Sequence, residues 1–240
     1  MTALQEPFAP GTNKLLAALP RRERDHLLPH LKPVVLGFEQ ILYEPDKLIR
    51  HVYFPTSGLI SLLLVLEDGS VAEVSRVGNE GMVGLPIFLG VQTSHTRAFV
   101  QIPGEAMRMQ APVFRREARQ GGALCGLLLR YTQASLRHVS QLTACNNHHS
   151  IEQRLCRWLL ITHDRVQAEQ FEITQEFLSQ TLGVHRQSVT LGASNLQRAG
   201  LIRYSRGKLT ILDRRGLEAA SCECYRAVRK VFENLFASSD

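Results

Sequence analysis

The 240-residue chain has no apolar run long enough to cross a bilayer, which excludes a membrane-spanning helix. Its opening residues, Met1 to Pro7, lack the basic start and apolar core of a secretory signal, so a cytoplasmic protein with no membrane partner is expected. Cysteine is scarce: Cys125, Cys145, Cys156, Cys222 and Cys224 make an odd set, with none in the first half, and argue against a disulfide framework. Cys222 and Cys224 are two apart in an expected helix, so they should point to different faces and make a poor metal pair. The thiols therefore read as buried or idle. The histidines are scattered, and His148-His149 is their one adjacent pair. A Gly-rich phosphate loop, a nucleophile elbow and a His-Glu-x-x-His pattern are all missing, as are internal repeats and low-complexity tracts.

What remains is a globular composition, 44% hydrophobic and 21% charged, in a chain long enough for two cores. Its charge is concentrated. Seven basic residues and one acid, Asp213, lie between Arg186 and Arg215, a local +6 that equals the net charge of the whole chain. Such a basic segment fits a polyanionic partner.

That segment belongs to a helix-turn-helix pattern running from Ile173 to Leu212. Thr174 is a good N-cap, Glu176 suits the first turn, and Leu178 and Leu182 recur at i, i+4. Gly183 supplies the positive φ of a tight interhelical turn. A second helix is expected from His185 to Ala199, with Val189, Ala193 and Leu196 inward and Arg186, Gln187, Ser188 and Thr190 outward. Those outward side chains are of the types that read base edges and phosphates. Gly200 ends that helix, and the apolar runs on either side of Ser205-Arg206-Gly207 predict a hairpin, or wing. Gly192 inside the second helix should cost on the order of 1 kcal/mol relative to alanine.

Upstream, residues 1–13 are rich in proline and glycine and read as loose. Asn13 to His30 predicts two short helices interrupted by Pro20. Between Lys32 and Gln110 come short β-branched runs: Lys32–Leu36, Ile49–Phe54, Leu59–Leu66, Val71–Val77 and Arg97–Ile102. Turn signals separate them, Asp68-Gly69 being the clearest, and the spacing predicts a sandwich or β-roll. Pro112 marks a change to one helix from Val113 to about Cys145. Its residues Leu124, Leu128, Tyr131, Ser135, His138, Val139 and Leu142 fall at seam spacing for pairing with a second copy, although packing on the chain's own strands would give the same pattern. Asn146 to His149 reads as a hinge. Ile151–Val166 is another amphipathic helix, and Asp213 can cap a last helix, Arg214–Phe236.

A β-roll, long helix, hinge and winged helix-turn-helix, in that order, resemble the Crp/Fnr family of bacterial transcription regulators over roughly residues 14–212. The resemblance implies an α+β fold: a cyclic-nucleotide-binding-type β-roll sensor over 14–111, a dimerisation helix and hinge over 112–146, and a winged helix-turn-helix with C-terminal helix over 147–240. It implies a homodimer that sets two recognition helices in successive major grooves of palindromic double-stranded DNA, with RNA polymerase as a further partner. The DNA-binding residues would be Thr174, Gln175, His185, Arg186, Gln187, Ser188, Thr190, Arg206 and Lys208. Arg186 falls on the family's guanine-reading arginine. Gln187 stands where the best-known members have glutamate, and Leu191 where many have a second arginine, so a different half-site is expected.

Members that bind cyclic AMP carry Gly-Glu-x-Gly-Leu and then Arg-Ser-Ala. The matching residues here are Gly81, Met82, Gly84 and Leu85, then Thr96, Arg97 and Ala98, the candidate effector pocket. Methionine replaces the ribose acceptor and Arg97 sits one place late, which on a strand turns it to the opposite face. Cyclic AMP is therefore not expected. The N-terminal cysteines of the iron–sulfur branch are missing, and a haem ligand would have to be His51 or His95. No cofactor is predicted, and the effector is unidentified. The competing readings are a cupin-like metal oxygenase with a DNA-binding tail, which would need several histidines at strand spacing where only His51 and His95 stand, and a cyclic-nucleotide module without DNA binding.

Overall fold

Asn13 begins the described fold with its side chain wholly buried. Its Oδ1 accepts from the amides of Leu15 and Leu16, capping α1 (Lys14–Ala17), while its Nδ2 donates to the carbonyls of Pro55 and Gly81. The computed structural model describes residues 12–166 and 168–237, so of the loose segment expected over residues 1–13 all but Thr12 and Asn13 lies outside the described residues, and Asn13 is fixed rather than loose. Two compact units divide them. One comprises 12–62, 76–133 and 235–237, and the other 63–75 with 134–166 and 168–234.

In chain order, α2 (Arg21–Leu27) is followed by β1 (Lys32–Leu36), β2 (Ile41–Tyr43), β3 (His51–Pro55), β4 (Leu59–Val65) and β5 (Val71–Val77). Then come α3 (Leu85–Phe88), β6 (Thr96–Ile102) and β7 (Gly104–Gln110). The strands form two sheets, ordered β1-β7-β3 and β2-β6-β4-β5, the β-roll expected from the short strands. β7 is central to the first sheet, antiparallel to both neighbours, with Val34 opposite Ala106 and Val52 opposite Met109. The turn at Asp68-Gly69 forms as read: Gly69 has φ +81°, and Asp68 Oδ1 accepts from the Ser70 amide at 2.9 Å.

Pro112 does not precede the next helix but sits in the first turn of α4 (Ala111–Arg119), where a missing N–H leaves no bond unmade. Phe114 on α4 packs edge-on against Phe54, ring centres 6.0 Å apart. The single helix expected from Val113 to Cys145 is interrupted. Gly121 and Gly122, at φ +83° and +76°, end α4 and start α5 (Gly122–His148). The Glu23 carboxylate accepts from the amides of Ala123 and Leu124 at 2.9 Å each, a cap that also suits the helix dipole. The break read over Asn146–His149 comes only at its end: α5 runs through Asn147, whose side chain bonds back to the Thr143 carbonyl, and stops at His148, before His149–Ser150.

The face of α5 read as an intermolecular seam is already occupied. Leu124, Leu128, Tyr131, His138 and Leu142 are buried in the single chain, and Ser135 is half-buried. Of the predicted set only Val139 is exposed, and Leu129 and Leu136 join it. The burial periodicity recorded packing within one chain, the alternative that gives the same spacing.

The second unit continues with α6 (Ile151–Val166), β8 (Gln170–Glu172), α7 (Gln175–Leu182), α8 (Arg186–Arg198), β9 (Ile202–Ser205) and β10 (Lys208–Ile211). Its strands pair in the order β8-β10-β9. Leu155, Trp158, Leu159, Leu178, Val189 and Leu209 form its core. Asp213 caps as expected, accepting from the Gly216 amide, but the helix it starts, α9, ends at Ala220 (Arg214–Ala220). Ser221 turns extended, and α10 (Cys224–Phe236) begins anew. Cys222 and Cys224 are therefore not on one regular helix. Both thiols point inward beside Cys145 and His149, correcting the expectation that they diverge.

Candidate nucleic-acid interface

Thr174 caps α7, its hydroxyl accepting from the Phe177 amide at 3.1 Å. Gly183 then takes a left-handed conformation, φ +61°, and its amide closes the last turn of α7. This glycine lets α8 start three residues later without lengthening the turn. Val189, Ala193 and Leu196 of α8 are buried, which fixes its rotation and leaves His185, Arg186, Gln187 and Thr190 exposed and Ser188 half-buried. The Thr190 hydroxyl bonds to Gln175 Oε1 at 2.8 Å and to the Arg186 carbonyl, tying α8 to α7. Thr190 thus orients Gln175 as well as offering a contact of its own.

The wing is a two-residue hairpin. Arg206 and Gly207 have φ +50° and +77°, the paired positive values of a type I′ turn, and Ser205 stands opposite Lys208. A residue that sequence reasoning missed sets its position. Tyr204 donates its hydroxyl to the Ile173 carbonyl at 2.7 Å, its amide donates to Gln197 Oε1, and burial pushes the phenol up to about 12. Its place in an apolar-alternating strand gave no sign of that tie. β8 was missed too, because three residues carry no periodicity. Thr174, Gln175, Arg186, Tyr204, Ser205 and Arg206 line one open groove of about 380 Å³, so the start of α8 and the wing turn share a surface. Lys208 is exposed and lies 3.9 Å from Glu172.

Not all of the local charge faces outward. Arg214 bonds Asp164 at 2.6 Å, the Tyr225 hydroxyl and Glu218, and those groups raise its already high pKa against the opposing effect of burial. It holds α9 to α6, half-buried, with its charge met by those partners. Gly192 is buried where α8 crosses α6, yet an added Cβ would meet Glu152, Leu155 and Ile151 at ordinary contact distances of 3.7–3.9 Å.

The candidate effector residues are filled by the chain itself. Gly81, Met82 and Gly84 are buried and Leu85 half-buried; Tyr131 donates to the Met82 carbonyl and receives its amide. Thr96 and Ala98 point inward on β6, with the Thr96 hydroxyl on Ser94 at 2.9 Å. Arg97 lies on the other face and pairs with Glu44 at 2.8 Å. A separate cavity of about 390 Å³ in the same unit is lined by Ile49, His51, Ile87, Gln92, Gln110 and Arg115, with none of the cassette residues. Among the described residues, the group of His, Cys, Asp and Glu side chains placed to hold a metal is Cys145, His149, Cys222 and Cys224. His51 and His95 are not in it.

A cored three-helix unit with an exposed N-terminal turn on its second helix and a basic two-residue wing defines a winged helix-turn-helix domain behind a β-roll and a long helix. Sequence comparison agrees: residues 153–220 match the Crp-like helix-turn-helix domain. The chain carries that DNA-binding domain on the fold of the Crp/Fnr transcriptional regulators. FixK2 from Bradyrhizobium japonicum is similar to it with a TM-score of 0.68 and 16% identity, covering 80% of this chain and 98% of its own. A CRP-family transcriptional regulator from Thermus thermophilus gives 0.65 and 18%, covering 78% and 96%. CLP, the c-di-GMP-responsive global regulator of Xanthomonas campestris, gives 0.63 and 14%, covering 81% and 100%. Comparison with curated proteins finds no match.

Proposed function

We propose that this protein is a homodimeric, sequence-specific transcription regulator that places α8 in the major groove of each half of a palindromic operator. The observation that carries the reading is the shared groove in which Arg186, at the start of α8, stands beside Arg206 of the wing. Arg186 and Gln187 are exposed where a recognition helix meets base edges, Arg186 suited to guanine and Gln187 to adenine. Arg206 and Lys208 contact phosphates, which position the domain without reading sequence.

Dimerisation runs through the exposed stripe of α5. Leu129, Leu136 and Val139 are 57%, 60% and 39% exposed and follow one another at steps of seven and three, a seam period. Two half-sites would then lie about 34–36 Å apart, one turn of duplex. The roll, residues 14–111, acts as the input domain, for a ligand other than cyclic AMP, and RNA polymerase is a further partner. Selection from a pool of random duplexes tests the reading: an enriched inverted repeat with centres one turn apart is expected, and a pool with no enriched motif contradicts it.

A further inference from the structure

The geometry points to a structural zinc ion held by Cys145, His149, Cys222 and Cys224, a site separate from the residues assigned to DNA. Cys145 and His149 are four apart across the end of α5, so their side chains share a face. The break between α9 and α10 brings Cys222, and the first residue of α10 brings Cys224. All four ligand atoms lie within 4.8 Å of one another. Tetrahedral zinc, with bonds of about 2.3 Å to sulfur and 2.0–2.1 Å to nitrogen, sets its ligand atoms about 3.6–3.8 Å apart. Cys145 Sγ stands 3.6 Å from Cys222 Sγ, and Cys224 Sγ 3.6 Å from His149 Nδ1.

The groups around these four fit the same ion. His149 Nε2 lies 3.2 Å from a Glu223 carboxylate oxygen, so the ring keeps its proton there and turns the Nδ1 lone pair toward the sulfurs. Gln141 donates from Nε2 to Cys224 Sγ at 3.0 Å, a bond that suits a thiolate. Three thiolates around a divalent ion leave one negative charge in a buried place. Arg157, 3% exposed, has Nε and Nη1 without hydrogen-bond partners, and its charge acts on Cys145. Buried guanidinium nitrogens left without partners are costly unless an anion lies near them.

The donor set also selects the metal. Soft thiolates with one imidazole favour zinc over magnesium or calcium, which take oxygen. An iron–sulfur cluster spreads its thiolates over several irons, whereas these four atoms converge on one point. A disulfide needs sulfurs about 2.05 Å apart and would leave Cys224 and His149 facing it without a role. All four positions are protein ligands, the closed arrangement of a structural site. Binding would displace the thiol protons and clasp the end of α5 to the α9–α10 junction, 77 residues further along the chain.

Metal analysis of the full-length protein, purified under reducing conditions without added chelator, tests this. One zinc per chain is expected, retained by Cys125→Ala and lost from Cys222→Ala and His149→Ala. Because either variant can fail to fold, the unaltered chain is also stripped and titrated with cobalt(II). The expected result is intense visible bands of tetrahedral cobalt with sulfur-to-cobalt charge transfer in the near ultraviolet, saturating at one equivalent and displaced by zinc. A chain that takes up neither metal stoichiometrically while its thiols stay reduced overturns the proposal. So does a Cys145–Cys222 disulfide in protein prepared without oxygen, or metal retained equally by Cys222→Ala.

Discussion

The phenol of Tyr131 closes over Gly81 and Met82: its oxygen lies 3.2 Å from the Met82 amide and 3.3 Å from the Met82 carbonyl. A Cβ on Gly81 would come within 2.3 Å of that oxygen, so only glycine lets the ring sit there. The segment that the sequence resemblance matches to a ribose acceptor is thereby sealed by α5, with the apolar Met82 side chain in it. On β6, Arg97 is paired with Glu44, and Thr96 and Ala98 face inward in its place.

Cyclic AMP and cyclic GMP should therefore not bind at tens of micromolar. A buried phosphate without an arginine would lose its charge-assisted bidentate partner and remain uncompensated. Calorimetric titration checks this. A micromolar heat that disappears in Arg97→Ala would mean that the loop re-registers and frees Arg97 from Glu44.

The two faces of α5 should respond differently to substitution. Leu128, fully buried, is a core residue, and Leu128→Ala should cost about 2–5 kcal/mol of stability without changing the subunit count of the folded protein. Leu136→Asp should leave the monomer's melting temperature nearly unchanged but give a monomer by sedimentation, with weaker operator binding. A Leu136→Asp protein that remains a dimer moves the interface elsewhere.

Gly192→Ala should stabilise the DNA-binding unit by about 1 kcal/mol, because a Cβ fits against Leu155 and Ile151 and the helix gains propensity. Denaturant unfolding measures it. A loss of stability would show that α8 and α6 approach more closely than 3.7 Å contacts imply.

Removing free-facing and ion-paired cations should also separate. Arg206→Ala or Lys208→Ala should weaken binding to all sequences alike and reduce the salt slope by about one unit each. Arg214→Ala should lower stability instead, since its guanidinium holds Asp164, Tyr225 and Glu218, and should leave the slope unchanged. A binding isotherm series in salt distinguishes the two patterns.

Local signals made much of this molecule legible in advance. Gly183 and the Asp68-Gly69 turn have backbone requirements that few residues meet, Thr174 carries a hydroxyl suited to an N-cap, and each forms where the sequence places it. The rotation of α8 was readable because Val189, Ala193 and Leu196 share a face, which leaves Arg186 exposed. Partners distant in sequence were not readable. Periodicity shows that one face of α5 is apolar but not what covers it, so Leu128 and Tyr131 were assigned to a second copy rather than to the chain's own interior. The thiol cluster was hidden for the same reason: assuming one unbroken helix through Cys222 and Cys224 made them diverge, and nothing local marks the break at Ser221. Tyr204 and Asn13 act through bonds to carbonyls 31 and 42 residues away.

The central claim, that α8 reads bases from its first turn, is tested most directly by comparing base preferences of the unaltered protein and Arg186→Ala on one randomised operator library. The account predicts a loss of about 1–3 kcal/mol of discrimination at one base pair in each half-site, a guanine contact, with preferences elsewhere retained. An Arg186→Ala protein whose preference is unchanged at every position would contradict it.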